Sequence, residues 1–159
     1  MATEIERKFL VQGEAWRDGA RGVAYRQGYL TTDPERTVRV RIAGKQAFLT
    51  IKGKTRGATR AEFEYPIPTG DAASLLDELC QRPLVEKTRY TLHHSGHEWV
   101  LDEFHGDNEG LLVAEVELDS EDEAFSTPPW AGREVTDDPR YYNANLIAHP
   151  YRQWGRGGS

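Results

Sequence analysis

Short segments of this chain alternate charged with apolar residues, and within most of them the charges share one sign. Arg39 and Arg41 flank Val40, Glu62 and Glu64 flank Phe63, and Glu115 and Glu117 flank Val116; Lys87 and Arg89 form a further basic pair ahead of Tyr90. The opening stretch puts Glu4, Glu6 and Lys8 on one side and Ile5 and Phe9 on the other, with Arg7 the exception. Side chains alternate across a strand with period two, so each pair occupies one face of a strand. For a single strand the ordinary meaning is a solvated face over a core. Like charges two apart repel, however, so a whole set of such pairs needs compensation from neighbouring strands or from a ligand.

Turn signals cut the chain into eight strand-like segments: Thr3–Gln12, Gly22–Thr31, Thr37–Ile42, Gln46–Lys54, Arg60–Ile67, Val85–His93, His97–Phe104 and Leu111–Leu118. Ala43-Gly44-Lys45 reads as a tight hairpin. Asp71–Gln81 is the clearest helix, with Asp71 as its N-cap, Leu75, Leu76 and Leu79 as an apolar stripe and Pro83 as its stop. Gly13–Asp18 and Ser120–Ala124 read as short helical turns, Pro128–Trp130 as extended chain and Tyr141–Ala148 as a second helix. The expected class is mainly β (α+β): an eight-stranded antiparallel sheet closed into a barrel, with flanking helices.

The charged face collects seven acids (Glu4, Glu6, Glu62, Glu64, Asp102, Glu115 and Glu117) and six bases (Lys8, Arg39, Arg41, Lys52, Lys87 and Arg89). Grouped carboxylates suit hard divalent cations, and grouped bases suit phosphate oxygens, with arginine able to bind them bidentately. A face that needs both describes a site for a metal and a polyphosphate. The charged face is then the inside of the barrel, and the hydrophobic core lies outside it. The helix, the C-terminal segment and a second subunit are the candidate covers, so a homodimer is one expected arrangement. Tyr29 shares a face with Gln27 and Thr31 and is a candidate to reach the ligand.

Composition narrows the partners. The 159 residues carry a formal net charge of −6, so the surface as a whole repels nucleic acid and anionic membrane, and any anion site must be a local cluster of bases. Cys80 is the single cysteine, which excludes an intramolecular disulfide and makes a cytoplasmic location the default. No apolar run reaches membrane-spanning length. His93, His94 and His97 crowd a hairpin turn without zinc-site spacing. One domain over residues 1–152 is expected, with 153–159 as a flexible tail.

The ordered series Glu4-x-Glu6-x-Lys8, Arg39-x-Arg41, Lys52, Glu62-x-Glu64, Lys87-x-Arg89, Asp102 and Glu115-x-Glu117 resembles the CYTH superfamily, the triphosphate tunnel metalloenzymes. Glu134-Val135-Thr136 and the run Asp138-Pro139-Arg140-Tyr141-Tyr142-Asn143-Ala144-Asn145-Leu146 extend the resemblance over roughly residues 3–151. It implies an eight-stranded tunnel that binds a linear triphosphate and needs Mg²⁺ or Mn²⁺, with two ions expected per site. The compact length resembles the small bacterial members, many of which hydrolyse inorganic tripolyphosphate. Nucleoside or thiamine triphosphatase, a class IV-like adenylate cyclase and a non-catalytic polyphosphate-binding module are the alternatives.

On that reading Lys8, Arg39, Arg41, Lys52, Lys87 and Arg89, joined by Tyr29, hold the phosphate chain. Glu4, Glu6 and Glu117 are the expected ligands of a first metal, with Asp102 and Glu115 further candidates. Glu115, with Glu62 or Glu64, supports a second ion or orients the attacking water.

Overall fold

The computed structural model of the protein describes residues 3–154. Nine strands alternate with one α-helix and short 3-10 turns: β1 (Thr3–Val11), β2 (Gly22–Thr31), β3 (Arg36–Ala43), β4 (Gln46–Gly53), β5 (Thr59–Pro66), α1 (Thr69–Glu78), β6 (Val85–His94), β7 (His97–Phe104), β8 (Leu112–Glu117) and β9 (Ala131–Glu134). The order is β5-β4-β3-β2-β6-β7-β8-β1, antiparallel throughout, and β1 returns to β5 to close an eight-stranded barrel. The closing contact is short, pairing Thr3, Glu4 and Ile5 with Ala61, Arg60 and Thr59. Beyond it β5 departs and β9, which the sequence does not announce, takes over the same edge of β1. An open edge is a liability, and here a four-residue strand caps it.

Local chemistry sets the turns. Gly44, at φ 59°, opens the two-residue turn between β3 and β4. Ser95 and Gly96 turn β6 into β7 with both φ angles positive, the twist a short hairpin needs. The helix begins at Thr69 after Pro68, so Asp71 is not its N-cap; it lies in the first turn, where a negative charge favours the helix dipole. The expected second helix does not form. Tyr141, Leu146 and Ile147 are its buried residues, and their spacing makes no 3.6-residue stripe. The chain between Pro139 and Pro150 instead folds as two 3-10 turns, Pro139–Tyr141 and Asn143–Leu146. Residues 120–124 form a non-helical turn.

Three apolar clusters hold the barrel. On the outer face of β2–β4, Val40 and Ala47 pack under Ala72, Leu76 and Cys80 of the α1 region. Leu76 is fully buried, worth about 1.5–3 kcal/mol. Gly28 lets the helix end approach, because a Cβ there would lie 2.7 Å from Leu84 and 2.9 Å from Cys80. On the outer face of β1, β7 and β8, Phe9, Trp99, Leu101, Ala114 and Val116 pack under Phe125 and Trp130.

The third cluster corrects the expectation that the apolar core lies wholly outside. Tyr29, Val85, Phe104 and Val113 share their strand faces with the charged residues and so point inward, where Tyr141, Leu146 and Ile147 meet them. The C-terminal segment therefore plugs one end of the barrel. Trp154 packs edge-on against Tyr141 and Tyr151; from residue 155 on, the expected tail lies outside the described residues. Ile51, Phe63 and Tyr65, on the outer face of β4 and β5, remain exposed. Among the described residues no helix is long and apolar enough to cross a membrane.

Candidate active site

The inward faces enclose a cavity of about 660 Å³. Glu4, Glu6 and Lys8 of β1 line it, with Arg39 and Arg41 of β3, Lys52 of β4, and Glu62 and Glu64 of β5. Lys87 and Arg89 of β6, Glu115 and Glu117 of β8, and Tyr29 of β2 complete the predicted set. Registry brings the signs together: Glu6 faces Glu117, Lys8 faces Glu115, Lys52 faces Glu62, and Glu4 faces Arg60. Tyr29 both lines the cavity and belongs to the plug cluster.

Asp102 is the exception. The residue is 1% exposed and lies behind the cavity wall, and its carboxylate accepts from Arg89 Nε and Nη2 at 2.8 and 2.9 Å and from Lys87 Nζ at 2.8 Å. Both oxygens are committed to cations, so in this structure it anchors two bases from outside the cavity lining. Burial opposes its charge, but Arg89 and then Lys87 win and hold the carboxyl far below its ordinary value.

Acids and bases neutralise one another across the tunnel. Lys8 donates to Glu115 and, at 3.0 Å, to Glu6; Lys52 donates to Glu4 at 2.7 Å and lies 3.5 Å from Glu62. Burial disfavours the Lys8 charge, yet Glu115 and Glu6 raise its pKa well above the ordinary lysine value. Two regions are left in excess. Burial, then the neighbouring Arg39 and Arg89, pushes Arg41 down to about 9, although a guanidinium stays protonated at neutral pH. Among the described residues Arg39 Nε is buried without a hydrogen-bond partner. A crowd of guanidinium groups with an idle donor is what an anion would relieve. At Glu117, burial and then Glu4 and Glu6 push the carboxyl up, a crowd of acids that a cation would relieve.

The donor set fits a hard divalent cation: Glu4, Glu6, Glu115 and Glu117 offer only carboxylate oxygens, on adjacent strands. Among the described residues no three such side chains already converge on one point, because Glu4, Glu6 and Glu115 are turned onto lysines.

The cavity also has residues outside the predicted set. Arg60 stands two residues before Glu62 on the same face of β5, so the strand period could have found it. It donates to Gly53 O at 3.2 Å and Thr37 Oγ1 at 3.3 Å, and among the described residues no carboxylate pairs with it. Asn143 and Tyr142 come from the 3-10 segment, where no period sorts inward from outward residues.

Known proteins resemble this chain over most of its length. The CYTH domain family model matches residues 2–151, so the chain belongs to the CYTH family. An inorganic triphosphatase of Acetivibrio thermocellus is 49% identical over 154 residues, 97% of this chain and 99% of that protein. An inorganic triphosphatase of Nitrosomonas europaea is 42% identical over 149 residues, 91% of this chain and 96% of that one. The crystal structure of an inorganic triphosphatase superposes with a TM-score of 0.62 at 39% identity, covering 90% of this chain and 96% of its own. A Hippeastrum protein, with a TM-score of 0.54 at 14% identity over 74% of this chain and 80% of its own, shares the fold.

Proposed function

We propose that this protein is a metal-dependent hydrolase of linear triphosphates, and that inorganic tripolyphosphate is its substrate, cleaved by water to pyrophosphate and phosphate. The observation that carries the reading is the double excess in one cavity: Arg39, Arg41 and Arg89 crowd together, and Glu4, Glu6 and Glu117 crowd together. A polyanion bound with a divalent cation relieves both at once. Two relatives named inorganic triphosphatase, at 49% and 42% identity over nearly the whole chain, support the substrate.

The chain's own residues divide the work. Arg39, Arg41, Lys52, Lys87 and Arg89, with Lys8, line the phosphate chain and offset its charge. Glu4, Glu6 and Glu117 would hold the first Mg²⁺ or Mn²⁺, and Glu115 with Glu62 or Glu64 a second. Bound there, such ions neutralise charge on the phosphate oxygens. Glu62, Glu64 or Glu115 would orient a water toward a terminal phosphorus. Phosphoryl transfer depends on positioning and charge neutralisation more than on covalent chemistry, which suits a site with no nucleophilic side chain in a named role.

The test is phosphate and pyrophosphate release from tripolyphosphate, ATP and thiamine triphosphate, each with Mg²⁺, Mn²⁺ or EDTA. Fast orthophosphate release from tripolyphosphate, lost in EDTA, is expected. Pyrophosphate release from ATP without orthophosphate would indicate a cyclase, and binding without turnover a polyphosphate-binding module; either would overturn the reading.

A further inference from the structure

We propose that Gln27 and Asn143 are positioning residues: through them the C-terminal plug fixes the Arg41 and Lys87 side chains that face the ligand. The inference rests on the triphosphatase reading above.

A continuous hydrogen-bonded chain carries it. Arg41 Nε donates to Gln27 Oε1 at 2.8 Å. Gln27 Nε2 donates to Asn143 Oδ1 at 3.2 Å, and the same oxygen accepts from Lys87 Nζ at 2.8 Å. Lys87 then joins Asp102, and Asp102 joins Arg89. The amide orientations are fixed from the Arg41 end. An arginine nitrogen can only donate, so Gln27 turns its oxygen to Arg41 and its amide nitrogen to Asn143, which in turn presents its own oxygen to Gln27 and Lys87. Gln27 is fully buried and Lys87 is 2% exposed, so their contacts are shielded from bulk solvent, while Asn143 is half-buried on the cavity wall.

Without these contacts long basic side chains would sample several rotamers and would have to be ordered again with every substrate. Held in place, they meet the phosphate oxygens already oriented. Asp102 restrains Lys87 on one side only; Asn143 supplies the second acceptor, and it comes from a segment held in the barrel end by Tyr141, Leu146 and Ile147. The plug is therefore part of the substrate grip as well as a stopper.

The experiment is a double-mutant cycle on tripolyphosphate turnover with Mg²⁺, using Asn143→Ala, Lys87→Ala and both together, with thermal unfolding of each. Asn143→Ala is expected to lower kcat about tenfold to a hundredfold. Because Asn143 meets Lys87 directly and reaches Arg41 only through Gln27, the double variant should lose clearly less than the product of the two single losses. A merely structural residue gives independent, multiplying losses, and that result overturns the proposal. Asn143→Asp keeps the oxygen acceptor and adds charge facing the phosphate; it should retain kcat and raise KM. If Asn143→Ala does not fold, Asn143→Asp decides, and a fall in kcat as deep as that of Lys87→Ala overturns the proposal. If the unaltered protein binds tripolyphosphate without turnover, the triphosphatase reading fails, and the same cycle run on tripolyphosphate affinity still tests this one.

Discussion

The two ends of the barrel interior are built by the same strands with the same period, yet one is charged and open and the other apolar and plugged. On β1 the inward series runs Glu4, Glu6, Lys8, Leu10; on β8 it runs Val113, Glu115, Glu117. Register sets the steps opposite one another: Glu6 faces Glu117, Lys8 faces Glu115 and Leu10 faces Val113. β6 repeats the change from Val85 to Lys87 and Arg89. Period two decides which face a residue takes; it does not decide whether that face binds a ligand or another part of the chain. The border between the ends is the buried group Lys87–Asp102–Arg89, where apolar packing meets charge.

Breaking the border should have the largest effect. Asp102→Asn leaves two buried cations without their counter-charge, and removing one partner from such a group costs about 3–5 kcal/mol. A urea titration checks this. The pH dependence has a definite sign. Asp102 is held below its unfolded value near 3.8, so its stabilisation is full above that value and is lost as pH falls below it. Asp102→Asn should therefore be weakened at pH 7, with less further loss between about pH 4 and pH 2. Equal acid sensitivity of both proteins would mean the carboxylate is not the anchor described.

The ends should also separate function from stability. Glu6→Gln, at the charged end, is expected to cut turnover about 10²–10³-fold while the fold survives. Full metal-dependent turnover in that variant would remove Glu6 from the site. Val113→Ala, at the plugged end, is expected to lose about 2 kcal/mol of stability and to change kcat by less than about threefold, measured well below its melting temperature.

The charged end was legible in the sequence because its residues obey one rule on known strands. Arg39, Lys52, Glu62 and Glu115 need only the alternation of β3, β4, β5 and β8 to be placed inside, and Arg60 follows the same rule. The plugged end was not legible. Val85, Phe104 and Val113 look like any apolar strand residue until the chain that covers them is known, and Tyr29, read as a ligand contact, gives no sign of its packing against the plug. The residues that cover them, Tyr141, Leu146 and Ile147, lie on or just after 3-10 turns whose order comes from docking and not from a repeating pattern. Asp102 shows the limit in another form: period two placed it correctly on the inward face, but not behind Lys87 and Arg89.

The salt bridges of the charged end predict coupled binding. Phosphate arriving alone must separate Lys8 from Glu115 and Lys52 from Glu4, leaving acids uncovered. A cation arriving alone uncovers bases. Arriving together, each covers what the other exposes. Calorimetry should show tripolyphosphate binding about 5–150-fold more tightly with Mg²⁺ than in EDTA, with the same factor for Mg²⁺ when tripolyphosphate is present. Equal affinities would mean the ion pairs stay intact in the complex.

The smallest effect on stability is the one that best distinguishes a site from a wall. Glu117 is crowded by Glu4 and Glu6, and no base pairs with it directly among the described residues. Its folded pKa is raised, so the folded state holds its proton more tightly than the unfolded state. Ionised Glu117 therefore weakens the ligand-free fold at neutral pH, and the penalty is relieved as pH falls through its folded value. The barrel wall crowds Glu117, but its side chain keeps contact with solvent along the open cavity, so salt screens it and the effect is at most about 1 kcal/mol. Glu117→Gln should thus raise Tm at pH 7.5 by no more than about 2–4 °C, leave it unchanged near pH 4, and abolish turnover. Mg²⁺ should raise the Tm of the unaltered protein and not that of the variant. A carboxylate kept only for the fold would show the reverse, a lower Tm on substitution.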